Sequence, residues 1–204
     1  ILMNYIDIYI TAPIKVLYNK SHNYIKNYFY NNDENNIEMK RYYERIDTYS
    51  QVLSFFKSPT HIIDNIFIGN ARNAASQIIL NENNIKMIIN VTEDIPIFYP
   101  DIYTYHQIKI DDNNKDSIKT FLEDSYLQIK KFQKKSEKNI LIHCFMGASR
   151  SVSILIYYIL KERENNGDSI DIDEVIKFIK NKRSIINPTL KLISDIKEIL
   201  KIEN

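Results

Sequence analysis

One stretch of the sequence, residues 143–151, brings together side chains that suit phosphate chemistry. It contains Cys144, the only cysteine among 204 residues, and Arg150 follows that cysteine by six positions. A thiolate is a strong nucleophile, and a guanidinium presents a planar fork that matches two phosphate oxygens. Gly147 lies between them and permits a backbone turn that a side chain would hinder. The residue types and their spacing therefore predict an anion-binding loop that begins with a nucleophile.

The residues on either side of this stretch predict the elements that hold it. An apolar run precedes the cysteine at 139–142 and another follows the arginine at 151–158, which indicates a buried strand, a tight loop and a helix. The helix N-terminus and the charge of Arg150 would both lower the pKa of the thiol. Ser151 can donate a hydrogen bond to the thiolate as it leaves phosphorus. We predict that the loop backbone binds the phosphate oxygens, through Phe145, Met146, Gly147, Ala148, Ser149 and Arg150.

A second interpretation of Cys144 is structural, because a lone buried cysteine is most often an inert small apolar side chain. That interpretation does not explain why an arginine follows the cysteine by six positions, why a glycine lies between them, or why a strand and a helix flank the loop. The combination therefore favours a reactive thiol.

The composition is that of an ordinary globular protein and excludes several classes of function. Hydrophobic residues make up 44% of the chain and charged residues 26%. The net charge of +1 predicts no general attraction to nucleic acid. A single cysteine excludes an internal disulfide framework and fits a reducing compartment. No apolar run approaches the roughly 18 residues of a membrane span, and the N-terminus lacks a secretory pattern. We therefore expect a cytoplasmic protein. The sequence does not indicate its oligomeric state.

The polar segment 31–36 predicts a linker, which divides the chain into an N-terminal extension (1–36) and a catalytic domain (37–204, with its core from about residue 58). In the extension, apolar residues at helical spacing predict an amphipathic helix that begins near Pro13. Residues 9–31 contain three lysines and no acid, so residues 11–30 are a candidate for contact with a membrane surface or a partner. The alternative, a helix folded back on the domain with solvated lysines, is the more common arrangement.

The remaining sequence alternates between strand and helix patterns. An alternation of this kind predicts an α/β fold with a mostly parallel central sheet and helices on both faces. In such sheets the site lies at the carboxyl ends of the strands, an edge that Cys144 shares with the polar loop 111–116. Strand signals occur at 62–63 and 66–68, and further strands are predicted near 85–91, 103–110 and 139–143. Helices are predicted near 71–80, 117–135, 151–163, 172–182 and 188–202.

The loop residues, His143-Cys144, five residues, then Arg150-Ser151, resemble the signature of the cysteine-based protein phosphatases. The continuation from Gly147 to Ser153 is most similar to the dual-specificity branch. Weaker similarities to that branch occur in the right order along about 145 residues, at 61–70, 88–92, 105–112 and 183–188.

This resemblance implies a phosphocysteine mechanism in which Cys144 attacks phosphorus, Arg150 binds the phosphate and His143 orients the cysteine backbone. It also implies a carboxylic acid that protonates the leaving group and later deprotonates water. Asp112, 32 residues before the cysteine, fits the family's short step after the preceding strand. Asp111 is the alternative but would face the other way if the strand alternation persists, and Asp116 is placed as a helix cap.

The expected substrate is a phosphorylated protein. The sequence lacks a match to the tyrosine-bearing loop of the tyrosine-specific enzymes, which favours a shallower cleft that accepts phosphoserine and phosphothreonine as well as phosphotyrosine. The loop 145–149 lacks the lysine that is typical of lipid and RNA phosphatases. A covalent mechanism needs no metal or cofactor, and the four histidines show no ligand spacing. The alternatives are a catalytically silent phosphopeptide-binding module and a phosphatase for a non-protein phosphoester.

Overall fold

The computed structural model describes residues 54–110 and 118–202. The sheet and the helices around it belong to the compact unit Ser58–Asn204. The strands of this unit are Thr60–Ile63 (β1), Ile66–Gly69 (β2), Ile85–Asn90 (β3), Thr104–Gln107 (β4) and Asn139–His143 (β5). Its described helices are Ala71–Ala75 (α1), Gln77–Glu82 (α2), Lys119–Gln133 (α3), Arg150–Asn166 (α4), Ile172–Lys182 (α5) and Leu190–Leu200 (α6).

The strands form a sheet in the order β1-β2-β5-β3-β4. The first two strands are antiparallel, whereas β2, β5, β3 and β4 pair in parallel. His143, the last residue of β5, is in register with Gly69 on one side and with Asn90 on the other. Three parallel strands therefore end side by side, and the chain leaves the middle one directly into the predicted phosphate loop.

Helices cover both faces of the sheet, and the central strand shows why. Side chains alternate along a strand, so Ile140 and Ile142 of β5 enter the larger core under α3, α4, α5 and α6. Leu141 points to the opposite face and packs with Ala74 and Leu80 from the α1–α2 region. All three β5 residues are fully buried. The predicted α/β fold with a mostly parallel sheet is confirmed.

Two element boundaries differ from the prediction. The single helix expected over 71–80 is two helices, because Ser76 ends α1 and its hydroxyl then accepts a hydrogen bond from Ile79 N at 3.4 Å, which caps α2. The strand expected over 103–110 is shorter, and only Thr104–Gln107 pairs with β3. Ile108 and Ile110 nevertheless enter the core. The apolar pattern at 108–110 therefore arises because these side chains are buried, and not because the backbone pairs in the sheet.

Several predictions concern residues outside the described ranges. These are the helix after Pro13, the contact surface at 11–30, the linker at 31–36 and the loop with Asp111, Asp112 and Asp116. The division into an extension and a catalytic domain stays a prediction. Within residues 54–110 and 118–202, no helix is long and apolar enough to cross a membrane.

Candidate active site

Cys144 is the first residue after β5, and only 3% of it is exposed. Its Sγ atom accepts hydrogen bonds from Gly147 N and from Ser151 Oγ, each at 3.3 Å. Burial by itself raises the pKa of the thiol. The charge of Arg150 and the hydrogen bonds from Ser151 and Gly147 outweigh burial, so the pKa lies below its ordinary value. The surroundings therefore favour the thiolate, as the sequence predicts.

The five backbone carbonyls of residues 145–149, the loop after Cys144, each accept a hydrogen bond from a residue that lies outside this stretch. The bonds run from Ala71 N to Phe145 O at 3.1 Å, from Arg183 Nη2 to Met146 O at 3.0 Å, from Arg183 Nε to Gly147 O at 2.8 Å, from Asn187 N to Ala148 O at 2.8 Å and from Ser153 N to Ser149 O at 3.0 Å. Five consecutive carbonyls thus point away from the centre of the loop.

The orientation of these carbonyls determines the direction of the N–H groups. In a planar trans peptide the N–H of the next residue points opposite to the carbonyl, and the described part of the chain contains no cis peptide. Five successive N–H groups, those of residues 146–150, therefore turn toward the inside of the loop. The bond from Gly147 N to Cys144 Sγ is one direct instance. A ring of inward N–H groups is a binding site for the oxygens of an anion.

Gly147 is the residue that permits this loop conformation. Its φ of +69° lies in the left-handed region that favours glycine. A Cβ atom at this position would lie 2.2 Å from Gly69 O and 2.8 Å from Arg183 Nη2. The loop therefore passes so close to the end of β2 that no side chain fits between them.

Arg183 supports the loop from behind, a role that the sequence analysis did not identify. It follows α5, is 5% exposed, and also donates from Nη1 to Thr60 Oγ1 at 3.2 Å. Burial lowers the pKa of its guanidinium despite the opposing effect of Cys144. The sequence signal is weak, because a basic residue at the end of a helix is already favourable there.

Arg150 begins α4, and it is also 5% exposed. Its Nη1 atom donates to Ile110 O at 3.0 Å. The predicted phosphate-binding arginine is therefore tied to the residue just before the segment that contains Asp111 and Asp112. The positions of the two aspartates lie outside the described residues.

His143 is fully buried beneath the loop, with Nδ1 3.4 Å from Cys144 O. Burial lowers its pKa to about 4, with a further lowering by Arg150, although the contact with the Cys144 carbonyl opposes this. The imidazole is neutral at physiological pH, which suits the predicted orienting role better than proton transfer. Among the residues that the structure describes, no three His, Cys, Asp or Glu side chains are grouped to hold a metal ion.

Residues 66–202 match the model of the dual specificity phosphatase catalytic domain. The chain belongs to this family, as the loop residues predict. It is 31% identical over 147 residues to human protein phosphatase Slingshot homolog 2, covering 72% of this chain and 10% of that protein. It is 28% identical over 138 residues to human dual specificity protein phosphatase 4, covering 68% of this chain and 34% of that protein. The chain thus spans about a tenth of the length of the first relative and about a third of the length of the second.

Solved structures show the same fold. The structure of DUSP15 aligns with a TM-score of 0.62 at 26% identity and covers 69% of this chain and 85% of that one. Human DUSP28 aligns with a TM-score of 0.63 at 16% identity, over 71% of this chain and 94% of that one.

Proposed function

We propose that this protein hydrolyses phosphotyrosine and phosphoserine or phosphothreonine in proteins through a phosphocysteine intermediate. The observation that carries the proposal is the loop itself, in which five carbonyls accept hydrogen bonds from donors outside residues 145–149 and a buried thiol of lowered pKa precedes them. Such a loop offers one centre with a nucleophile and several anion-binding N–H groups.

In the first step the Cys144 thiolate attacks phosphorus, and the bond from phosphorus to the serine, threonine or tyrosine oxygen breaks. The inward N–H groups and Arg150 bind the phosphate oxygens, where negative charge is stabilised in the transition state. The leaving oxygen takes a proton from a carboxylic acid, for which Asp112 is our assignment and Asp111 the alternative.

In the second step a water molecule attacks the phosphorus of phosphocysteine and gives its proton to the same carboxylate. The bond between sulfur and phosphorus breaks, and inorganic phosphate leaves. The departing sulfur regains its negative charge, and Ser151, 3.3 Å from Sγ, donates a hydrogen bond to it. Since the pKa of this thiol is lowered from its ordinary value, the thiolate is a better leaving group than an ordinary cysteine.

The loop favours protein substrates over lipid or RNA phosphoesters. Phe145 and Met146 are partly exposed on the loop, where they offer apolar contacts beside the phosphate. The loop carries no lysine that would attract further phosphate groups. The reaction requires a reduced thiol, which suits a reducing compartment such as the cytoplasm.

Turnover of p-nitrophenyl phosphate and of phosphopeptides tests the proposal. The wild-type protein should hydrolyse both, and Cys144→Ser should abolish turnover while it still binds phosphopeptide. A wild-type protein that binds phosphopeptides without turnover would support the silent binding module instead. Turnover that survives Cys144→Ser would refute the covalent mechanism.

A further inference from the structure

A pair of asparagines lies behind the phosphate loop, at the point where β2 ends and α1 begins. Asn70 is the N-cap residue of α1, and Asn73 is the third residue of that helix. Asn70 Oδ1 accepts from Asn73 N at 3.0 Å, and Asn73 Oδ1 accepts from Asn70 N at 2.9 Å. Both side chains are fully buried. This reciprocal capping box fixes the conformation of the chain from residue 70 to residue 73.

The backbone that the capping box fixes lies directly against the phosphate loop. Ala71 N, within the box, donates to Phe145 O at 3.1 Å. Gly69 lies between the box and the loop, since a Cβ atom there would be 2.8 Å from Asn73 Oδ1. On the loop side, a Cβ atom on Gly147 would be 2.2 Å from Gly69 O. This backbone is therefore held by the asparagines on one side and contacts the phosphate loop on the other.

The bond to the Phe145 carbonyl matters because it sets the direction of the next N–H group. In the planar trans peptide that joins Phe145 to Met146, the Met146 N–H points opposite to the carbonyl. Met146 N donates to no other residue in the described part of the chain. Gly147 N–H, by contrast, is also held from the inside by Cys144 Sγ at 3.3 Å. The direction of Met146 N–H therefore depends on the carbonyl behind it, and through that carbonyl on Ala71.

We propose that Asn70 is a positioning residue for the substrate phosphate. It acts through the hydrogen bond from Ala71 N to Phe145 O, which aims Met146 N–H at the phosphate. The proposal rests on the function proposed above. A binding group must be held within roughly 0.5 Å of its productive position. Loss of the cap allows the first turn of α1 to move away from the loop, so a tetrahedral anion should bind more weakly while the thiol and the guanidinium keep their places.

Two substitutions that differ by one hydroxyl group test the cap bond. Asn70→Ala removes the acceptor for Asn73 N, whereas Asn70→Ser supplies a shorter side chain that is also a preferred N-cap. The probe is tungstate, a tetrahedral dianion that resembles phosphate, and its affinity is measured by isothermal titration calorimetry. In Asn70→Ala the dissociation constant should rise about 10-fold, the value of one hydrogen bond to a charged group. In Asn70→Ser it should rise less than about threefold, because the cap is retained.

The kinetics of p-nitrophenyl phosphate hydrolysis separate positioning from a loss of folded protein. A misdirected N–H group weakens substrate binding, so KM should rise in Asn70→Ala and kcat/KM should fall by about 10-fold. Partial unfolding would instead lower kcat in proportion to the folded fraction and leave KM unchanged. The matched control is Ser76→Ala, since Ser76 Oγ accepts from Ile79 N at 3.4 Å and caps α2. This control should lose stability without a change in KM or in tungstate affinity.

The outcomes separate this inference from the proposed function. No turnover by the wild type, or turnover by Cys144→Ser, refutes the function, and tungstate binding still tests the positioning role. Unchanged tungstate affinity in Asn70→Ala, or equal losses of affinity in the alanine and serine variants, refutes the positioning role alone.

A second variant keeps the test decisive if Asn70→Ala does not fold. Ala71→Pro removes the N–H that binds Phe145 O. Proline is favoured at the first helical position, and Asn70 already has the extended conformation that suits a residue before proline. Tungstate should bind at least about 10-fold more weakly to this variant, and an unchanged affinity would refute the positioning role.

Discussion

The phosphate loop has two sides that differ in chemistry. The inner side presents N–H groups, the Cys144 thiol and Arg150, and it faces the proposed substrate. The outer side presents carbonyls, and Arg183 and several backbone N–H groups bind them. Arg150 and Arg183 are equally buried, at 5% exposure, yet Arg150 donates to Ile110 O and Arg183 donates to carbonyls of the loop. The comparison teaches that two arginines of equal burial and equal charge can have different roles, because Arg150 is the proposed phosphate-binding residue whereas Arg183 holds the loop backbone.

The largest expected effect is on the inner side. Arg150→Lys keeps the charge but loses the planar fork, so kcat/KM for p-nitrophenyl phosphate should fall by about 10²–10³-fold. The free energy of unfolding, measured in urea, should change much less than the activity. A loss of activity matched by a general loss of stability would contradict the division into two sides.

On the outer side, Arg183→Met should mainly cost stability. It leaves the carbonyls of Met146 and Gly147 without their donors, which we expect to lower the free energy of unfolding by about 3 kcal/mol. Arg163→Met is the matched control, because Arg163 forms a surface ion pair with Glu174, and such pairs contribute about 1 kcal/mol or less. Equal losses in urea unfolding for the two variants would show that Arg183 does not hold the loop.

The buried His143 beneath the loop should make stability depend on pH. Its folded pKa of about 4 lies below the ordinary 6.5, so the unfolded chain binds the proton first as pH falls. The stabilisation that the buried neutral imidazole provides is complete above pH 6.5 and is lost progressively toward pH 4. The free energy of unfolding should therefore fall by about 2 kcal/mol between pH 7 and pH 5. Urea unfolding at both pH values should show a smaller difference in His143→Asn. An unchanged difference in His143→Asn would refute the assignment.

The smallest expected effect concerns two buried serines that lie two residues apart in α4. Ser151 Oγ donates to Cys144 Sγ, whereas Ser153 Oγ donates to Ser149 O at 3.1 Å on the outer side. Ser151→Ala should slow breakdown of phosphocysteine by about 10-fold, the value of one hydrogen bond to a charged group. Ser153→Ala should leave that step unchanged. Rapid-quench measurement of the intermediate distinguishes them, and similar rates for both variants would contradict the role of Ser151.

The elements that position the site could be predicted because their signals are local. The apolar run of β5, the glycine in the loop and the apolar start of α4 lie within about 20 consecutive residues, and each indicates its own conformation. The break at Ser76 was missed because a serine within a short helical pattern looks the same whether it is exposed or caps a second helix.

The supports of the loop could not be predicted because they are distant in sequence. Arg183 binds carbonyls 36 and 37 residues earlier in the chain. No periodicity or spacing relates such residues before the chain is folded, and each has an ordinary local interpretation on its own helix. The sequence thus indicates which residues do the chemistry more readily than which residues hold them.

Cys144 combines burial with activation, which reverses the usual rule for labelling a protein thiol. Folding normally protects a buried cysteine, and unfolding exposes it. Here the folded chain lowers the thiol pKa and surrounds it with anion-binding groups, whereas the unfolded chain returns it to its ordinary value. At mildly acidic pH a small anionic alkylating agent should therefore modify the native protein faster than the denatured one. Because these 204 residues contain no other cysteine, the extent of alkylation counts the molecules whose loop is correctly folded.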